Sequence, residues 1–407
     1  MRPYAGRRVL LGVSGGIASY KSCWLARLLA LAGAEVDVVM TRGATEFVAP
    51  ITFEALTGRA VHTDIFAQGG ALEHIRLARE ADAIIIAPAT ADFMARAAHG
   101  RADDLLTAIL LAAGDPRGGA HPALVVPAMN DRMWEHPQTR ANAEHLRTLG
   151  YTVLEPESGM LAAGEGSGPG RMPEPETIFA HAGRLLEPRG ALAGRHVVVT
   201  AGPTREAVDP VRFISNRSSG KMGVAVAAAA WRRGAHVTLV AGPLEVAVPV
   251  GARVVRVETT EEMRCAVSEA LPAADALIMA AAPADFRPAD PAPSKIKKAS
   301  DLRDIAVVPT PDILLDTRPA RRPGTVVMGF ALETDDALAG GRAKLEAKGL
   351  DFVVINDARE EGAGFAVDTN RVTIISRAGT SEELPLMPKT ALADVLLDRV
   401  EALLGAS

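Results

Sequence analysis

Cysteine is nearly absent. Cys23 and Cys265 are the only two in 407 residues, far apart and matching no metal or disulfide spacing, so a reducing, cytoplasmic setting is the expectation. Charge of either sign is not in large excess. The formal net charge is -5, which offers no basic field for nucleic acid or an anionic membrane. Long apolar runs are missing too. The first one, "VLLGVSGG", breaks at Gly12 and Gly15, too early for the core of a secretion signal, and no stretch reaches the ~18 residues of a membrane span. What remains is a chain 48% apolar and 23% charged, able to bury cores and of a length for about two domains.

An internal echo organises it. "VLLGVSGG" (9–16) resembles "VVVTAGPT" (197–204), "GAEVDVVMTRG" (33–43) resembles "GAHVTLVAGP" (234–243), and "ADAIIIAPATADF" (81–93) resembles "ADALIMAAAPADF" (274–286) without a gap. Each half reads as strand, glycine-rich turn, helix, strand, helix, strand. Unbroken Val/Ile/Leu runs between amphipathic helices predict parallel strands covered on both faces. The fold class is therefore α/β, with two Rossmann-like three-layer domains, residues 1–190 and 191–407, each with a mainly parallel sheet and ligands at the strand C-terminal edge. Pro188, Gly190 and Gly194 punctuate the boundary. The Pro- and Lys-rich stretch 287–301 reads as a long loop or flap.

In the first half, Ser14, Gly15 and Gly16 follow a strand and open a helix, where small residues let backbone N–H groups approach an anion. The turn is not GxGxxG and no ribose-reading acid follows, which disfavours a nicotinamide oxidoreductase with tandem Rossmann domains. Thr41 and Thr90 stand at strand ends, as hydroxyls for a ribityl or phosphate group or as helix caps. His74 enters a predicted helix and reads as structural or functional. Asn130 follows a buried strand, its amide suited to a carboxylate or carbonyl.

"GVSGGIASYK", "EHIRLA", "APATADF", "PAMN" and "GPGRM", in this order over residues 6–185, resemble the flavin-dependent cysteine decarboxylases acting on 4'-phosphopantothenoylcysteine. The resemblance implies bound FMN, His74 as catalytic base and Asn130 as carboxylate binder. It also implies the reason for a flavin. The cysteine nitrogen is acylated and cannot form a Schiff base, so oxidation of the thiol carbon must create the electron sink beside the departing carboxylate.

In the second half, "TAGPTREAVDPVRFISNRSSGKMG" (200–223) offers Arg212, Asn216, Ser218, Ser219, Gly220 and Lys221 ahead of a helix, a cradle for phosphate and carboxylate that lacks Walker A spacing. Asp285 is placed at a strand end, followed by Lys295, Lys297 and Lys298. Lys344 and Lys348, four residues apart, share a helix face. Phe330 is placed at another strand end, where its ring can line a base pocket.

These residues resemble the phosphopantothenate–cysteine ligase family in its bacterial CTP-using form, over about 192–400. The resemblance implies that Asp285, Lys295, Phe330, Lys344, Lys348 and the turn Pro311, Asp312, Ile313, Leu314 contact CTP. Arg212 and Asn216 would serve phosphopantothenate and its acyl-cytidylate, Lys295 would sit closest to the charge on phosphorus, and Mg2+ would assist; its protein ligands stay unassigned. Together the halves resemble a bifunctional phosphopantothenoylcysteine decarboxylase / phosphopantothenate–cysteine ligase, a homo-oligomer with decarboxylase trimers and ligase dimers.

"SGMLAAGEGSGPGRM" (158–172) resembles the family's lid over the flavin site, with glycines permitting closure. Many members carry Ala-Cys-Gly where this chain has Ala162-Ala163-Gly164, and that Cys is the proton donor. Glu165 or a lid-bound water is the expected substitute. The alternative is a ligase whose first half binds flavin without catalysis.

Overall fold

The uninterrupted aliphatic runs become central strands, because a strand covered on both faces has no polar side. The computed structural model describes residues 2–66, 72–118, 121–161, 164, 166–297, 304–333, 337–357 and 367–405. It divides into two units, Met1–Pro188 and Arg189–Ser407.

In the first unit six strands pair in parallel. Their order is Val61–His62, Glu35–Met40, Arg8–Val13, Ala83–Ala89, Ala123–Pro127, Thr152–Val153. Ala83–Ala89 is buried at every position. Alternate residues serve opposite layers, as the two-residue period of a strand demands. Val9 and Leu11 meet the helices Ser19–Leu31 and Pro175–Leu186, whereas Leu10, Ile84 and Ile86 meet Ala91–Ala98 and Leu105–Ala112. Each buried aliphatic side chain contributes about 1.5–3 kcal/mol.

The second unit repeats the plan. Its sheet runs Arg253–Arg256, His236–Ala241, His196–Ala201, Ala276–Met279, Val326–Glu333, Phe352–Asp357, all parallel, then adds Thr373–Ser376 and Ser381–Glu383 antiparallel. The helices Lys221–Arg232 and Lys389–Gly405 cover one face, and Thr260–Ala270 and Ala337–Lys348 the other. In both sheets the first strand of the unit has the second strand on one side and a later one on the other. Chain direction therefore reverses there, and the two connections leave a crevice at the strand C-termini.

Candidate functional sites

The crevice of the first unit is a cleft of about 930 Å³. Ser14 follows the first strand and is buried. Its Oγ donates to the Pro88 carbonyl (2.8 Å) and accepts from the Thr90 N–H (3.0 Å). The hydroxyl proton is spent inside the protein, so Ser14 offers a ligand only a lone pair. The N–H groups of Gly15 and Gly16 donate to no described atom and stand ahead of the helix Ser19–Leu31, where they suit an anion. A Cβ on Gly15 would lie 2.6 Å from the Gly43 carbonyl carbon, whereas one on Gly16 would meet nothing closer than Thr90 Cγ2 at 3.8 Å. Gly15 thus permits contact between two backbone turns, and Gly16 keeps the cleft floor open.

Thr41 and Thr90 cap and line at once. Thr41 Oγ1 accepts from the Ala44 N–H (3.3 Å) and Thr90 Oγ1 from the Phe93 N–H (3.2 Å), and both face the cleft. Asn130 Oδ1 accepts from the Arg132 N–H (2.9 Å), and its amide nitrogen donates to no described atom. Ile17, Met129, Met133, Met160 and Leu161 supply an apolar wall. The arrangement suits a flat apolar ring system with an anionic tail, beside an amide for a carboxylate.

Within the stretch 158–172, Glu157–Met160 pairs antiparallel with Ser167–Arg171 as a hairpin. Gly168 and Gly170 serve close packing, whereas a Cβ on Gly164 or Gly166 would meet nothing. Met129 N–H donates to the Gly170 carbonyl (3.0 Å). Gly170 has φ 143°, and a Cβ there would lie 2.3 Å from the Met129 oxygen; one on Gly168 would lie 2.8 Å from Asp131 Cβ. The buried Lys21 ties the hairpin's exit to the first helix, donating to the Met172 carbonyl (2.7 Å) and pairing with Glu174 (3.1 Å). Burial works to raise the Glu174 carboxyl, but Lys21 and Arg171 outweigh it and hold it low. Ala162, Ala163 and Glu165 lie outside the described residues.

His74 is not among the residues that line this cleft. It sits half-buried at the start of the helix Glu73–Glu80, and its Nδ1 is buried without a hydrogen-bond partner among the described residues.

The crevice of the second unit holds about 500 Å³. Asn216 Nδ2 donates to the carbonyls of Ala282 (3.2 Å) and Pro283 (2.8 Å), which locks the amide on the cleft rim. Ser218, Ser219, Gly220 and Lys221 line the floor. Gly220 has φ 80° and turns the chain into the helix Lys221–Arg232. Asp285 lines the cleft from the loop beyond Ala276–Met279 rather than from the strand end itself. Asp312 accepts from the Leu315 N–H (3.2 Å) and pairs with Lys348 (2.9 Å). Pro311, Ile313, Leu314 and Lys344 line the same wall. The strand carrying Phe330 continues to Glu333, so this ring is inside a strand rather than at its end. Its neighbour stops at Met279, paired with Gly329, and that early stop opens the cleft beside Phe330.

Arg212 and Lys295 are not among the residues lining this cleft. Arg212 pairs with Asp209 (3.3 Å) and donates to the Ile296 carbonyl (3.3 Å). Asp209 is buried and accepts from the N–H groups of Val211 (2.7 Å), Arg212 (2.8 Å) and Ile296 (3.2 Å). It thereby anchors the strap that carries the exposed Lys295 and Lys297; Lys298 lies outside the described residues. Among the described residues no three His, Cys, Asp or Glu side chains form a metal cluster.

Sequence reasoning missed Asn356, Asn370 and Lys389, which also line the second cleft. The strand-end logic that selected Asn130 applies equally to Asn356 in "VVIND". Lys389 follows Pro388 at a helix start, and Asn370 carries no local signal.

Residues 1–186 match the family model described as Flavoprotein, and residues 192–404 the one described as DNA/pantothenate metabolism flavoprotein C-terminal domain. The chain is 47% identical to the coenzyme A biosynthesis bifunctional protein CoaBC of Mycolicibacterium smegmatis, over 98% of each chain. It is 44% identical to that of Bacillus subtilis, over 98% of this chain and 97% of that one. Among solved structures it is similar to the C-terminal domain of a CoaBC protein, at 35% identity and TM-score 0.46, covering 54% of this chain and 100% of that one. With both halves matched and near-complete coverage of these relatives, the chain belongs to the family of coenzyme A biosynthesis bifunctional proteins CoaBC.

Proposed function

We propose that the chain catalyses two successive steps of coenzyme A biosynthesis. The second unit joins cysteine to 4'-phosphopantothenate using CTP, and the first decarboxylates the resulting 4'-phosphopantothenoylcysteine to 4'-phosphopantetheine. The observation that carries this reading is the pairing, in one family member, of an apolar cleft behind an open glycine turn with a cleft lined by Lys221, Lys344, Lys348 and Lys389.

At the ligase cleft, a carboxylate is too poor an electrophile for an amine. Its oxygen attacks the α-phosphate of CTP, releasing pyrophosphate and forming an acyl-cytidylate; the cysteine amine then displaces CMP and forms the amide. Lys344, Lys348 and the strap residue Lys295 stabilise charge on phosphorus. Phe330 and the turn Pro311–Leu314 hold the nucleotide. Asn216 and Arg212 serve phosphopantothenate and the acyl-cytidylate. Mg2+ is held in such sites by substrate phosphates with one or two carboxylates; Asp285 and Asp312, which line the cleft, would supply them.

The residues of the first cleft fit FMN. Gly15 and Gly16, with unspent N–H groups, would hold its phosphate, Thr41 and Thr90 would hold the chain between phosphate and ring, and the methionine-rich wall would take the ring. When bound, FMN supplies the oxidation of the thiol-bearing carbon and the later return of hydride. The chain's own residues hold and move the rest. Asn130 binds the carboxylate, His74 accepts a proton, the hairpin excludes water from the enethiol left when CO2 departs, and Glu165 or a lid-bound water returns a proton as that enethiol is reduced. Trimers of the first unit and dimers of the second, in the cytoplasm, complete the reading; among the described residues no helix is long and apolar enough to cross a membrane.

A non-catalytic first half is the second reading. The lid thiol is replaced by Ala163, and His74 is not among the residues lining the cleft with Asn130. Purified protein given CTP, Mg2+, cysteine and phosphopantothenate separates the two. Pyrophosphate with CO2 supports two active halves, pyrophosphate without CO2 the second reading, and neither product rejects both. His74→Asn is expected to abolish CO2 release and spare pyrophosphate release. Glu165→Gln with unimpaired reduction removes Glu165 as proton donor.

A further inference from the structure

Beside the ligase cleft the second unit holds a further cavity of about 710 Å³. Thr310 and Pro311 line both spaces, which therefore meet at this turn. The segments Arg205–Ala207 and Phe286–Pro288 lie side by side and contribute to one wall of the cavity. The start of the helix Thr260–Ala270 contributes to another. Pro288, Pro291, Pro309 and Pro311 complete the lining. Proline brings a carbonyl but no N–H, so these walls are rich in acceptors and poor in donors.

Glu206 is the lining residue whose chemistry the fold leaves unexplained. It is 4% exposed. Its Oε1 accepts from the N–H (2.8 Å) and the hydroxyl (2.8 Å) of Thr260, which satisfies one of the open N–H groups at that helix start. This use needs a single oxygen. Oε2 has no partner among the described residues and is not sealed from solvent, so it opens on the cavity. Thr260 supplies neutral donors only, whereas a buried carboxylate is stabilised by a cation that also hydrogen-bonds to it. The other charged residues lining the cavity are Glu261, Asp316 and Arg287. Glu261 pairs with Arg264, and Asp316 is exposed. Arg287 is exposed too, and its guanidinium makes no hydrogen bond or ion pair among the described residues. Two neighbouring segments thus present one unmatched carboxylate oxygen and one unmatched guanidinium to the same space. A small zwitterion with an ammonium and a carboxylate complements both, which is the chemistry of a free α-amino acid.

We propose that this cavity binds the cysteine consumed by the ligase, with its ammonium on Glu206 Oε2, its carboxylate on Arg287 and its thiol-bearing carbon against the prolines. The proposal rests on the ligase reading. That reaction takes three substrates, and the neighbouring cleft is assigned to two of them, the nucleotide and phosphopantothenate. Cysteine in the cavity stands against the turn Thr310–Pro311, whose other side lines the nucleotide cleft. Its amine therefore approaches the acyl-cytidylate from that turn. Because the cavity shares no charged residue with the cleft, cysteine binds the free protein without CTP.

The test uses the full-length protein. The half reaction that needs no cysteine is read as phosphopantothenate-dependent exchange of labelled pyrophosphate into CTP, and the complete reaction as CMP release at varied cysteine. Glu206→Gln keeps an acceptor for Thr260 and removes the charge. It is expected to raise the KM for cysteine about 10- to 100-fold, with the KM for CTP and the exchange rate within about twofold of wild type. Arg287→Met is expected to raise the KM for cysteine about tenfold and to collapse the preference for cysteine over cysteamine, which lacks the carboxylate. Glu206→Gln leaves that preference in place, since both compounds carry the amine. Arg287 is exposed, so its variant decides the matter if Glu206→Gln does not fold. An unchanged KM for cysteine in Glu206→Gln, or an unchanged preference in Arg287→Met, overturns the proposal. So does an exchange rate that falls in step with CMP release, as a merely structural role would give. A wild type without exchange rejects the ligase reading instead; calorimetric binding of cysteine that Glu206→Gln abolishes then still supports the cavity, and absence of binding overturns it.

Discussion

Gly15→Ala should damage the flavin cleft far more than Gly43→Ala, although both change the same contact. A Cβ on Gly15 would lie 2.6, 2.8 and 2.9 Å from the carbonyl carbon, oxygen and Cα of Gly43. All three atoms are backbone, so no side chain can rotate away. The two turns must part by roughly 0.8 Å to regain ordinary carbon–carbon separation. Overpacking of this kind costs about 1–3 kcal/mol. If the strain falls on the bound geometry, FMN affinity drops about 5- to 150-fold. A Cβ on Gly43 points elsewhere. It meets Gly15 Cα at 3.4 Å and nothing closer, an ordinary contact, so its variant should bind FMN within about threefold of wild type. The assay is titration of apoprotein into FMN with flavin fluorescence as readout, alongside the flavin content of the purified protein. Pyrophosphate release by the ligase unit serves as the internal control for intact protein. Gly15→Ala binding FMN as wild type does, or Gly43→Ala failing equally, would refute the steric argument.

Three further outcomes follow from the geometry. Burial works to raise the Asp209 carboxyl, but the N–H groups of Val211, Ile296 and Arg212 prevail and hold it below the usual carboxylate range. A carboxyl lowered in the folded state contributes stability above its unfolded value near ~3.9, and that contribution is lost as pH falls. Asp209→Asn should therefore lower the ligase unit's unfolding midpoint at pH 7, and the gap to wild type should close below about pH 4; a gap independent of pH argues against the anchor. Lys348→Met removes a cation 2.9 Å from Asp312 and should raise the KM for CTP about tenfold while sparing that for phosphopantothenate, read from pyrophosphate release. Ser14→Ala leaves the Thr90 N–H without its partner and the Pro88 carbonyl with the Ser14 N–H alone, and should destabilise the first unit by about 1–3 kcal/mol in chemical denaturation.

Much of the architecture was legible before any coordinates. Parallel strands buried on both faces write themselves as aliphatic runs, and a strand's C-terminal end is local information, so Ser14, Thr41, Thr90 and Asn130 could be placed on one edge from sequence. The i,i+4 spacing of Lys344 and Lys348 carried their shared face in the same way. Boundaries were less legible where neighbours decide them. Phe330 borders the cleft because the adjacent strand stops at Met279, which no property of "VVMGFALET" reveals.

The sequence by itself determined the two α/β units, the glycine turns at their ligand edges and the family to which the chain belongs, because periodicity and strand–turn–helix junctions are short-range. Tertiary structure alone decided how each polar group is spent. It committed the Ser14 proton to Pro88, left His74 off the lining of the cleft that holds Asn130, and hung the strap bearing Lys295 from Asp209. It also brought Lys389 and Asn370 to the same cleft as Lys221. Those residues are distant in sequence and meet only because two helices pack side by side on one face of a sheet, so their meeting follows from the packed core and has no trace in the local pattern.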